Sequence, residues 1–202
     1  MQGTDKAVIA LNLLLVAAVC VLALVLGGCE ARGADAAPMW YRFPAEKPVA
    51  DGAYSPTILD LERHLPARHG RSYWFADPIT HAHETTHGIN ADLAGRHDKG
   101  WHGYYVLNNW CMYLPEPKVR MADVVRALPA GLRRGRFQLY LVDQVQRHPW
   151  WEVAPVKAVF DEWVAYTNGA TAGLELIRGG KSLAQDDRYF ACLEFSVYAA
   201  AV

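Results

Sequence analysis

In Asp77-Pro78-Ile79-Thr80-His81-Ala82-His83-Glu84-Thr85-Thr86-His87 a helix start and a metal-binding spacing coincide. The Asp77 side chain suits the first free N–H groups of a helix, and proline is tolerated at the first helical position because that position has no helical partner to lose. A helix is therefore predicted over 78–93. Residues four apart lie on one face about one turn apart, so His83 and His87 can offer imidazole nitrogens to one zinc ion. Glu84, one residue on, flanks the place where a zinc-bound water would sit. His81 points to nearly the opposite side and is left out of the ligand set. Asn90 falls one turn after His87, in reach of a supporting hydrogen bond whose partner the spacing does not identify.

A catalytic zinc takes three protein ligands and keeps a fourth position for water, so a third ligand is expected downstream. Residues 83–87 resemble the H-E-x-x-H zinc peptidases, the zincins, whose groups differ in that ligand. The metzincin pattern would need Gly and His where Asn90 and Leu93 stand, which excludes it. The resemblance is to the gluzincin group, which uses a Glu from a later helix. Glu162 is the first candidate because it shares a helical face with Ala158, Val159, Ala165 and Tyr166. Glu194, set among Phe190, Ala191, Val197 and Tyr198, is the runner-up, and Asp161, beside Lys157 and Asn168, reads as a wet face. The run 161–169 resembles the Glu-bearing helix of gluzincin-like proteins, but Tyr166 stands where some of them carry an Asp.

The resemblance implies a zincin-like fold with one zinc per chain on His83, His87 and Glu162. Glu84 would be the general base, and Tyr166 the first candidate to donate to the oxyanion, with Tyr104, Tyr105 and His102 behind it. The implied activity is a metallopeptidase, a hydrolase acting on an amide bond of a peptide or protein substrate. Two alternatives stay open: a zinc hydrolase of a non-peptide amide such as a cell-wall cross-link, and a non-catalytic envelope lipoprotein that binds a partner. Glu84 favours an enzyme, since a structural zinc has no use for a base between its histidines.

Net charge is −1 over 202 residues with no long basic block, which favours neither nucleic acid nor an anionic membrane surface as a partner. Arg133, Arg134 and Arg136 read as a solvated, Gly-containing turn. Residues 7–26 are apolar except for Asn12 and are set apart from the fold as a signal peptide or signal anchor spanning 1–28. Leu26-Gly27-Gly28-Cys29 resembles the lipobox of bacterial lipoproteins, which implies lipidation of Cys29 and a domain tethered to the membrane of the cell envelope, facing outside the cytoplasm. Cys111 and Cys192 then either form one disulfide or are two small buried hydrophobes.

Residues 29–54, rich in Ala, Pro and Gly, read as a flexible spacer, and 55–202 as the domain. Within it a helix is expected from Ser55 to Leu65, a strand at 71–75, and a strand or hairpin at 101–114. Helices follow at 118–128, 137–147, 155–168 and 187–202, separated by Pro or Gly. His64, His69 and His97 fall in expected loops, and Trp150-Trp151 in the core. The fold class is α+β, mostly helical with a small sheet.

Overall fold

The computed structural model describes residues 37–45, 55–67, 77–181 and 188–202. The apolar run 7–26, Cys29, His69 and the strand expected at 71–75 lie outside the described residues. Among those described, no helix is long and apolar enough to cross a membrane.

The fold is α+β and mostly helical, with one three-stranded antiparallel sheet of order β1-β3-β2. β1 is Met39–Arg42, β2 Trp101–Tyr105 and β3 Trp110–Pro115. β2 and β3 form the expected hairpin, with Tyr105 opposite Cys111. β1 lies in the stretch read as spacer, yet it pairs with β3 from Met39↔Tyr113 to Arg42↔Trp110, and Phe43 just after it is buried. Five residues between Pro38 and Pro44 are too few to show a period, which is why the sequence hides the strand. The ordered domain therefore starts before Ser55.

The helices are α1 Pro56–His64, α2 Pro78–Leu93, α3 Met121–Ala127, the short α4 Gln144–Arg147 and α5 Trp150–Val153, α6 Asp161–Arg178 and α7 Arg188–Ala199. Capping sets the first two starts: Ser55 accepts from the Ile58 N–H at 3.1 Å, and Asp77 from those of Ile79 and Thr80 at 3.2 and 3.1 Å. Two segments wind more widely than an α-helix. Gln138–Asp143 and Val156–Phe160 are π-helical and run directly into α4 and α6.

α6 runs ten residues past the expected end at Asn168. Gly169, read as a break, is instead the contact point between α6 and α2. A Cβ there would lie 3.1 Å from the Ile79 carbonyl oxygen and 3.6 Å from His83 Cβ. Small residues at Ala165, Gly169, Ala172 and Gly173 let the two helix backbones approach. Gly169→Val is accordingly expected to lower stability by about 1–3 kcal/mol through overpacking, read by urea unfolding. A gain in stability, as helix propensity alone would give, would show slack in the crossing.

Two apolar clusters flank that crossing. One joins the sheet to α1 and α2 through Phe43, Leu61, Ile89, Tyr105, Cys111 and Tyr113. The other gathers Met121, Val124, Leu141, Trp151, Phe195 and Tyr198 from the later helices. Of the tryptophan pair, Trp151 is core and Trp150 is exposed. Cys111 and Cys192 are both free and buried, so the thiol reading holds and the disulfide does not.

His64 is not in a loop: it ends α1, fully buried, with Nε2 2.9 Å from Asn109 Oδ1 and Nδ1 2.6 Å from the Asp60 carbonyl. This cluster holds the β2–β3 turn, where Leu107, Asn108 and Asn109 all have positive φ, of 70°, 56° and 62°. Such a run is costly for non-glycine residues. It is offset by the Asn108 N–H donating to Asp60 and the Asn109 N–H to the Tyr105 hydroxyl.

Candidate metal centre

Three side chains from the two crossing helices converge. His83 Nε2 and His87 Nε2, both from α2, stand 3.0 Å apart. Glu162 Oε2, from the first turn of α6, lies 3.6 Å from the former and 3.7 Å from the latter. These three form the one group among the described residues with the donors and spacing to hold a metal ion. Ligand atoms about 2.0–2.2 Å from one tetrahedral zinc would sit roughly 3.4 Å from one another, so the triangle has the right size.

The donor set also asks for a cation. Glu162 Oε2 is buried with no hydrogen-bond partner among the described residues, and both imidazole nitrogens stand beyond hydrogen-bond reach of it. A carboxylate oxygen removed from water in this way is costly unless it is neutralised. Burial raises the Glu162 pKa, and the neighbouring Asp161 and Glu84 charges add to the rise, while His87 opposes it. Burial is also the largest influence on His87 and pulls its pKa down, but the charge and hydrogen bond of Asp161 and the nearby Glu162 carboxylate outweigh it and leave the pKa well above the usual value. Without a metal, Glu162 and His87 therefore both hold a proton more readily than usual.

Asp161 is not on a wet face. Its Oδ2 is 2.9 Å from His87 Nδ1, and its Oδ1 accepts from Asn90 Nδ2 at 2.7 Å. Asn90 is buried and its orientation is set from the sheet, because its Oδ1 accepts the Tyr105 backbone N–H at 2.8 Å. The Tyr105 carbonyl in turn accepts from Asn168 Nδ2 on α6 at 3.1 Å, and the same amide reaches Thr86 on α2. With Asp161 on Nδ1, the neutral His87 ring keeps the Nδ1 proton and turns the Nε2 lone pair toward His83 and Glu162. Asp161→Ala is expected to weaken metal binding by about 10–100-fold without unfolding the chain, measured by competition with a chromophoric chelator. Unchanged affinity would mean that helix geometry alone orients His87.

Glu84 is half-buried beside these groups and its charge reaches Glu162. The Tyr166 ring lies edge-on to that of His83 at 4.4 Å and stacks on Phe195 at 5.3 Å. Its hydroxyl is 2.8 Å from that of Tyr140, a residue the sequence did not single out. Burial, and then the Glu162 charge, push the Tyr140 pKa far up, so this phenol keeps its proton.

The other candidates lie elsewhere. Glu194 accepts from the Arg136 backbone N–H at 3.2 Å and pairs with its guanidinium at 3.4 Å. Arg136, expected in a solvated turn, is thereby drawn in, with its guanidinium 5.4 Å from the Tyr166 ring centroid. His102 pairs with Glu116, whose carboxylate caps the N–H groups of Val156 and Lys157. The Tyr104 hydroxyl donates to the Val156 carbonyl and that of Tyr105 to Asp60, so both phenols are committed to the fold. His81 stands 3.1 Å from Glu62, outside the metal group. No family model, curated protein or solved structure matches the chain.

Proposed function

We propose that this chain is an exported, membrane-tethered zinc peptidase of the gluzincin type, built on a zincin-like fold. The observation that carries the reading is the convergence of His83, His87 and Glu162 around a buried carboxylate oxygen that has no other partner among the described residues. Two neutral imidazoles and one carboxylate suit zinc better than a hard cation, which would call for more oxygens. When bound, zinc supplies Lewis acidity toward a water and toward the carbonyl of the scissile amide.

The rest is work for the chain's own side chains. Glu84 takes a proton from the attacking water and hands it to the leaving amine. With Tyr140 as donor in the Tyr140–Tyr166 hydroxyl pair, the Tyr166 O–H is left to face the carbonyl oxygen as it gains charge. Asp161 and Asn90 keep His87 in the tautomer that the metal needs.

The test is direct. The purified chain should carry about one zinc and cleave a peptide library, lose cleavage on chelation, and regain it with stoichiometric zinc. A folded chain that binds no zinc overturns the reading. A chain that holds zinc and cleaves muropeptide amides but no peptide library moves the substrate to a non-peptide amide.

A further inference from the structure

On the far side of the sheet from the first apolar cluster, a cavity of about 810 Å³ opens between β1, β3 and α6. Its apolar walls include Pro38, Trp40, Trp110, Met112, Phe160 and Trp163. Trp40 is 57% exposed and Trp110 38%, so two indoles stand at its mouth in water. Three of the polar side chains that line it are turned to protein partners: Thr167 donates to the Trp163 carbonyl, Thr171 to that of Thr167, and Asn168 to Thr86 and Tyr105, which leaves Asn108 and the Trp163 indole N–H. A peptide laid there would find few groups for its backbone, whereas an acyl chain needs none.

The position of this opening in the chain points to its occupant. Pro38, on its rim, follows Cys29 by nine residues and follows the apolar run 7–26 by twelve. Nine residues span at most about 30 Å, less than the roughly 40 Å diameter of a domain of this size. A chain held at Cys29 cannot turn the Pro38 face to the side of the domain opposite the bilayer. Exposed tryptophans favour the membrane–water boundary, and Arg42, its guanidinium 4.2 Å from the Trp110 ring centroid, stands at the rim within reach of phosphate headgroups.

We propose that the Trp40–Trp110 cavity is a bilayer-docking site that takes phospholipid acyl chain and rests the domain on the membrane. The inference rests on the membrane-tether part of the proposed function and is independent of zinc. Because Phe160 and Trp163 bracket Asp161 and Glu162 in the chain, docking would bring the metal-binding end of α6 close to the lipid surface, where substrates at that surface are met.

The test uses the full chain floated with phosphatidylcholine vesicles, with and without bromine on the acyl chains, reading tryptophan emission. No tryptophan precedes Trp40, so the tether itself is silent. The expected result is co-flotation and bromolipid quenching of the three cavity tryptophans, Trp40, Trp110 and Trp163, of the seven, with the quenching lost in Trp40→Phe/Trp110→Phe/Trp163→Phe, which keeps the apolar surface and the tether. Co-flotation without quenching means the tether holds but the domain stands off, and the cavity serves another occupant. Quenching that persists in the triple variant means a different face docks. A chain that fails to float removes the tether reading and this proposal together, leaving the zinc chemistry untouched.

Discussion

Glu84→Gln is expected to leave about one zinc per chain and to lower turnover by roughly a thousandfold or more. The amide has the size of the carboxylate and occupies the same place on α2, so His83, His87 and Glu162 keep their positions. It cannot accept the proton of the attacking water, so the step that needs a base loses it. Metal analysis beside peptide cleavage on the same preparation separates the two effects. Retained cleavage would place the base elsewhere, and loss of zinc would make Glu84 a support of the metal site instead of a participant in the reaction.

Glu162→Ala is expected to do the reverse, lowering zinc affinity by about a thousandfold or more because it removes the one anionic ligand of three. Glu194→Ala is the matched control. It sits on the neighbouring helix with its own Arg partner, Arg136, so its loss should cost about 1 kcal/mol of stability and leave zinc bound. Both variants can be followed by zinc titration and urea unfolding. If Glu194→Ala loses the metal while Glu162→Ala keeps it, the packing of α6 against α2 is not what brings the third ligand to the histidines.

The histidine pair was legible because its spacing falls in a segment that is α-helical throughout, and Glu162 because Ala165 and Tyr166 follow it in the α-helix, although Ala158 and Val159, also used to place it, lie in the π-helical segment. Asp161 was misread because its wetness was argued from Lys157 and Asn168. The first comparison counts four residues back through 156–160, where the winding is π-helical and that spacing no longer shares a face. The second takes a polar side chain for a solvated one, yet Asn168 is buried and hydrogen-bonded to both α2 and β2. Tyr140 was hidden for the first of these reasons, since it too lies in a π-helical segment. The hydrogen bond expected of Asn90 exists, but its two partners come from β2 and α6, and a single helix cannot reveal what packs against it. Glycine misled in the same way at Gly169, where a helix breaker by composition is what the helix crossing demands.

The doubly gripped Tyr105 peptide has one more consequence. β2 is an edge strand, and at Tyr105 its outward N–H is bound by a side chain of α2 and its carbonyl by a side chain of α6. The amide hydrogen of Tyr105 can trade with deuterium only after Asn90 has let go, and Asn90 is also the support of Asp161. Its exchange rate is therefore a clock for the opening of the metal site, readable at one backbone position in protein that has never met a substrate.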